Sequence, residues 1–238
     1  MKIDILAIGA HPDDVELGAG GTVSKEIAAG RKVGIIDLTR GELGTRGSAE
    51  LRDLEAAESA SFLGLEFRVN MGFKDGFFSN DEIHQMALVQ QIRLFQPEII
   101  LCNAINDRHP DHGKGSKLVS DAIFLSGLVK VSTSFNGMKQ TPWRPKAIYH
   151  YIQDRHIHPD FVVDITDHME VKMKAVMAFK SQFYDPQSNE PETAISSKDF
   201  LEFLYGRSIE MGRQSGFQYA EGFTVERTIG LISLFDIR

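Results

Sequence analysis

Two short stretches are dense in side chains suited to acid, base or metal chemistry: His11-Pro12-Asp13-Asp14 and Arg108-His109-Pro110-Asp111-His112. Imidazole and carboxylate are the usual ligands of a catalytic zinc, which takes about three protein donors and keeps one position for water. His11, Asp14 and His112 supply such a set, and Pro12 stiffens the turn between the first two. Asp13 then stays uncoordinated beside the open position, where a general base for water has to stand. Of the two histidines in the second stretch, His112 opens the following helix and is read as the ligand, so that His109 faces a substrate carbonyl. A hydrogen bond from Asp111 to the His109 ring would favour the imidazolium, suited to steadying an oxyanion or protonating a leaving amine. The same donors suit ferrous iron, so the expected cofactor is Zn2+, with Fe2+ as the alternative.

Taken singly, an Asp-Asp pair at a helix start is an N-cap and a His-Pro pair is a loop. Placement sets these two apart. β-rich runs at Ile3 to Ile8, Lys32 to Leu38, Glu66 to Met71 and Glu98 to Asn103 alternate with helical patterns over Val15 to Ala29, Glu50 to Leu63 and Ile83 to Phe95. This alternation predicts one α/β domain over residues 1–238, Rossmann-like and three-layered, with a mostly parallel sheet and helices on both faces. In the doubly wound order 3-2-1-4, strands one and four are neighbours whose connections leave in opposite directions, and ligands bind at that switch point. Both motifs follow those two strands. A dinucleotide fold would carry Gly-x-Gly-x-x-Gly after strand one; Gly9-Ala10-His11-Pro12-Asp13-Asp14 instead offers carboxylates that repel a diphosphate and attract a cation.

Further along, a helix is expected from near His112 to Leu128, strands at Lys146 to Ile152 and Phe161 to Ile165, and helices at Asp167 to Phe179 and Asp199 to Gly212. The polar stretch from Asp185 to Lys198, with Pro186 and Pro191, reads as a mobile surface loop.

A net charge of −7 without a Lys/Arg-rich block argues against nucleic acid as a partner. The single cysteine, Cys102, lies in an apolar run, reads as a buried inert thiol and excludes a disulfide within the chain. Ile3 to Ala10 is too short and too acidic for a secretory segment, and no stretch reaches the ~18 to 20 apolar residues that span a bilayer. The expected location is the cytoplasm, away from membranes. His84, His150, His156, His158 and His168 stay outside the site; His156 and His158 lack a third ligand.

With His-Pro-Asp-Asp after the first strand and Asp107-Arg108-His109-Pro110-Asp111-His112 after a later one, the chain resembles the PIG-L or LmbE-like deacetylases. These are Rossmann-like zinc enzymes that hydrolyse N-acetylglucosaminyl groups. Leu38 to Gly47, Leu51-Arg52 and Ser181-Gln182-Phe183-Tyr184 are similar to the bacillithiol-biosynthesis branch, which acts on N-acetylglucosaminyl malate. The resemblance implies metal ligation by His11, Asp14 and His112, Asp13 as base, His109 as the free histidine, and a dimer or hexamer. It also implies substrate contact by Arg52 and sugar binding by Asp75; alone, these read as a helix arginine paired with Glu55 or Glu58 and as a turn former before Gly76. Arg46, Arg52 and Arg108 favour an anionic aglycone such as malate. The rival readings are a deacetylase of another N-acetyl sugar and a non-catalytic metal-binding module. Some relatives place a tyrosine over the metal from a loop; Asp185 to Lys198 contains none.

Overall fold

A computed structural model describes residues 2–236. Strands β1 (Ile5–Gly9) and β2 (Val33–Thr39) are buried at every position, as near-continuous apolar runs require when a sheet is covered on both faces. They join β3 (Phe67–Phe73), β4 (Ile99–Cys102), β7 (Ala147–Tyr151), β8 (Phe161–Asp164) and β9 (Ala220–Val225) in a seven-stranded sheet of order β3-β2-β1-β4-β7-β9-β8. The expected 3-2-1-4 half is present, parallel throughout, with β7 parallel to β4. Strand β9 runs antiparallel to both neighbours. A small hairpin, β5 (Ser134–Phe135) with β6 (Met138–Lys139), stands apart.

Alternation along β1 divides the core. Leu6 and Ile8 pack against α3 (Glu82–Phe95) and α4 (Pro110–Ser126) through Leu88, Val89, Ile92, Leu118 and Val119. Ile5 and Ala7 face the opposite layer, where α1 (Asp14–Ala28) and α5 (Met169–Met177) bring Val15, Ala19, Val23 and Ala175. α2 (Ala49–Leu63) packs beside α5 in that layer, and α6 (Lys198–Arg213) lies against β8 and β9. Helix α1 sits unusually close to its neighbours. A Cβ on Gly18 would lie 2.2 Å from the Tyr151 ring, and one on Gly21 would lie 2.7 Å from Ile165. Glycine at both positions lets α1 seat on β7 and on the chain beyond β8, and the Tyr151 hydroxyl donates to the Ile8 carbonyl at 2.9 Å.

Several expectations shift. Helix α4 begins at Pro110, because proline lacks the N–H that a first-turn residue leaves unbonded anyway. His112 therefore lies inside the first turn instead of opening the helix. The helix expected from Asp167 is a 3-10 turn, Thr166–His168, followed by α5. Strand β9 lies outside the sequence expectations; Glu221 and Gly222 break any apolar alternation. The segment expected to be a mobile loop bonds the chain before α2 at two points: Ser188 accepts from Arg46 at 2.7 Å and Glu190 from the Gly47 amide at 2.8 Å. Among the described residues no helix is long and apolar enough to cross a membrane.

Candidate metal and catalytic site

The carboxyl ends of β1 and β4 open into a cleft of about 410 Å³ lined by both motifs. Asp14, the first residue of α1, places its carboxylate between two imidazoles: Oδ1 lies 3.0 Å from His112 Nε2, and Oδ2 lies 3.5 Å from His11 Nδ1. Donor atoms about 3.3 Å apart form the edge of a tetrahedron with metal bonds of roughly 2.0 to 2.1 Å. The imidazoles of His11, His109 and His112 offer ring nitrogens close enough to one another to hold one divalent ion, and Asp14 stands between two of them.

The outer nitrogen of each imidazole is held by a carboxylate. His112 Nδ1 donates to Asp107 Oδ2 at 2.5 Å, and His11 Nε2 donates to Asp75 Oδ1 at 3.0 Å with Asp111 Oδ2 at 3.5 Å. Such partners fix the tautomer and turn the free lone pair inward, as they do around bound metals generally. The carboxylates are themselves anchored, Asp75 by the Leu43 amide, Asp111 by the Gly76 amide and Lys114, and Asp107 by the Arg155 amide. Burial alone would depress both histidines. The surrounding carboxylates nonetheless hold His11 well above its ordinary value and raise His112 to about 9. Burial would raise Asp14, yet the same two imidazoles hold it well below the usual carboxylate range. The centre is thus built to attract positive charge.

Asp13 stands beside this set without joining it. Its backbone takes φ 114°, a region sparsely populated by non-glycine residues. Arg52 Nη2 holds it there, donating to Asp13 Oδ2 at 2.8 Å and to the Pro12 carbonyl at 2.6 Å. Burial pushes the Asp13 carboxyl up to about 7, against the pull of Arg52. A residue held in a rare conformation inside a ligand cleft is where function is to be sought.

His109 makes the N-cap of α4. Its Nδ1 accepts from the Asp111 amide at 3.3 Å, so the neutral ring carries its proton on Nε2. Burial, joined by the nearby charge of His11 and His112, lowers its pKa. This revises the expected Asp111–His109 pair: the Asp111 carboxylate turns to His11, Gly76 and Lys114, and His109 is a neutral donor instead of an imidazolium. A ring nitrogen of His109 also lies within 4.8 Å of those of His11 and His112. Among the described residues no carboxylate bonds its ring, unlike those of His11 and His112.

Two expected substrate contacts have other partners. Arg52 is only 5% exposed and committed to Asp13, because a guanidinium buried there needs a counter-charge. Asp75 is buried and committed to His11. Arg108 remains at the mouth, half exposed and paired with Asp154 at 3.1 Å. Reading the sequence missed Asp107, Asn103 and Gln153. The signal for Asp107 was the rule that a ligand histidine needs an acceptor on its outer nitrogen. The two amides left no signal, since nothing local distinguishes them.

A Rossmann-like sheet with His-carboxylate-His at its switch point and a spare carboxylate beside it defines a metal-ready hydrolase. The family model described as PIG-L, GlcNAc-PI de-N-acetylase, matches residues 6–123, which include both motifs. Diacetylchitobiose deacetylase of Thermococcus kodakarensis is 31% identical over 92% of this chain and 81% of its own length. Among solved structures, a conserved protein of Thermus thermophilus is 33% identical with a TM-score of 0.85, covering 98% of each chain. N,N'-diacetylchitobiose deacetylase of Pyrococcus horikoshii, solved with its inhibitor, is 28% identical with a TM-score of 0.77, covering 93% of this chain and 83% of its own. The chain belongs to the PIG-L family and is a deacetylase, a hydrolase of amide bonds.

Proposed function

We propose that the protein removes the acetyl group from an N-acetylglucosaminyl glycoside, N-acetylglucosaminyl malate of bacillithiol biosynthesis being the substrate. The observation that carries the hydrolytic reading is the Asp14 carboxylate set between two imidazoles, with Asp13 held beside them by Arg52. A divalent ion held by His11, Asp14 and His112, zinc in our reading, supplies Lewis acidity to the acetyl carbonyl and acidifies water.

Asp13 takes a proton from the attacking water as its oxygen bonds to the carbonyl carbon. The His109 Nε2–H donates to the oxyanion that develops on the carbonyl oxygen. Asp13 then returns the proton to the sugar nitrogen as the carbon–nitrogen bond breaks, which gives acetate and a free amine. Arg52 keeps the Asp13 carboxylate aimed through these steps.

Arg108 supports the malate reading. Its ion pair with Asp154 is solvent-exposed, and such pairs are worth little, so the guanidinium is free to exchange Asp154 for a substrate carboxylate. The similarity to diacetylchitobiose deacetylase supports a neutral second sugar instead. Acetate release from N-acetylglucosaminyl malate and from N,N'-diacetylchitobiose, with zinc and after chelation, tests both. At least tenfold higher kcat/KM on the malate glycoside, lost in Arg108→Ala, is expected; equal or better turnover of the neutral disaccharide refutes malate.

We place the enzyme in the cytoplasm, a reading supported by its lone, buried cysteine. We also assign it to a homo-oligomer, supported by Ile232, Leu234 and Phe235, which are 101%, 86% and 97% exposed. Light scattering at the mass of a single chain would refute the latter.

A further inference from the structure

Asp14 accepts more than the imidazoles. Its Oδ1 takes a hydrogen bond from Gln153 Nε2 at 2.9 Å, and its Oδ2 takes one from Asn103 Nδ2 at 2.9 Å and one from the His11 amide at 2.9 Å. Asn103 is 1% exposed and Gln153 4%.

Neither amide is free to flip. The Ala10 amide donates to Asn103 Oδ1 at 2.9 Å, and the Ala104 amide donates to Gln153 Oε1 at 3.2 Å. A backbone N–H can only donate, so each side-chain oxygen is assigned and each NH2 must point the other way, toward Asp14. The two amides are also joined, Asn103 Nδ2 donating to Gln153 Oε1 at 2.9 Å. Gln153 is fixed at its backbone as well: its carbonyl accepts from Arg207 Nη1, while Arg207 Nη2 donates to the Leu17 carbonyl at 2.8 Å. Arg207 belongs to α6, which also brings Phe200 and Leu204 to the cleft wall.

We propose that Gln153 is the positioning residue for Asp14. Together with Asn103 it holds the outer side of the carboxylate, so that the one remaining lone pair, on Oδ1, faces the metal position, and Arg207 locks it to the substrate-facing helix. The proposal rests on the reading of Asp14 and His112 as metal ligands. Gln153→Met keeps the length of the side chain and adds no charge, and it removes the amide that donates to Asp14. Gln153→Ala removes the whole side chain.

The test is zinc affinity, measured by competition with a chromophoric chelator on the full chain, together with the melting temperature of each zinc-free protein. Expected is a loss of about 10- to 100-fold in affinity for both Gln153 variants, the usual effect of removing such a support. Any fall in the zinc-free melting temperature should be smaller for Gln153→Met than for Gln153→Ala while the two lose zinc affinity alike, which separates positioning from general destabilisation. His112→Ala serves as the control that removes a ligand outright. If both Gln153 variants bind zinc as wild type does while His112→Ala does not, the proposal is overturned and the metal reading stands. If His112→Ala matches wild type, both are overturned.

Discussion

Arg52 and Asp13 form a buried ion pair at 2.8 Å, and the same guanidinium nitrogen reaches the Pro12 carbonyl at 2.6 Å. One group thus holds both the carboxylate and the backbone of a residue whose φ of 114° costs conformational energy. A lysine ammonium is a compact charge on a flexible stem and would not fix both acceptors in one plane. Arg52→Lys is expected to lower kcat by about 10²-fold, the scale of a misplacement of about 1 Å, with zinc content unchanged. An unchanged kcat would show that Asp13 needs no such support.

Asp13→Asn keeps an oxygen for Arg52 and a side chain that tolerates the left-handed region, but removes basicity. Turnover should fall roughly 10²- to 10⁴-fold with zinc stoichiometry at the wild-type value, while the melting temperature falls because the buried Arg52 loses its counter-charge. Full turnover in this variant would remove Asp13 from the role of base.

Chelation should abolish acetate release and lower stability together. A ligand present at about 100 times its dissociation constant stabilises the native state by roughly 2.7 kcal/mol. Urea unfolding with zinc at that excess and after chelator treatment is the measurement. Coincident unfolding curves would mean that the imidazoles and Asp14 do not grip the ion.

Gly18→Ala drives a methyl group to 2.2 Å from the Tyr151 ring. Overpacking of this kind costs about 1 to 3 kcal/mol and should appear as a lower urea midpoint. Because Gly18 and Asp14 share α1, kcat should fall as well. A neutral outcome would mean that helix and ring part freely.

Cys102 is fully buried, and burial pushes its thiol well above the ordinary value. A thiol reagent such as dithionitrobenzoate should leave the native protein unmodified and react once per chain in denaturant. Rapid reaction of the native protein would reveal an opening of β4.

The strand order and the meeting of the two motifs were legible in the sequence because both follow from local signals, apolar runs punctuated by helical periods. The edge of the sheet beyond β7 was not. Strand β9 is held by contacts distant in sequence, among them Lys172 bonding Glu221 at 2.6 Å, and its own residues carry no strand pattern. The site divides along the same line. His11, Asp14 and His112 could be chosen by residue type, as could Asp13. The partners of Asp75 and Asp111 could not, since one reaches His11 from a turn after β3 and the other from the first turn of α4, and their arrival at one point depends on the folded sheet.

Residues 188–195 meet the rest of the cleft through few bonds, chiefly Arg46 to Ser188 and the Gly47 amide to Glu190, yet Thr193 to Ile195 form part of its wall. None of the residues assigned to proton transfer lies on this strap. Divergence within it would therefore retune which glycosides are admitted while the hydrolytic apparatus stayed intact, giving related enzymes a way to acquire new diets by editing a surface ribbon alone.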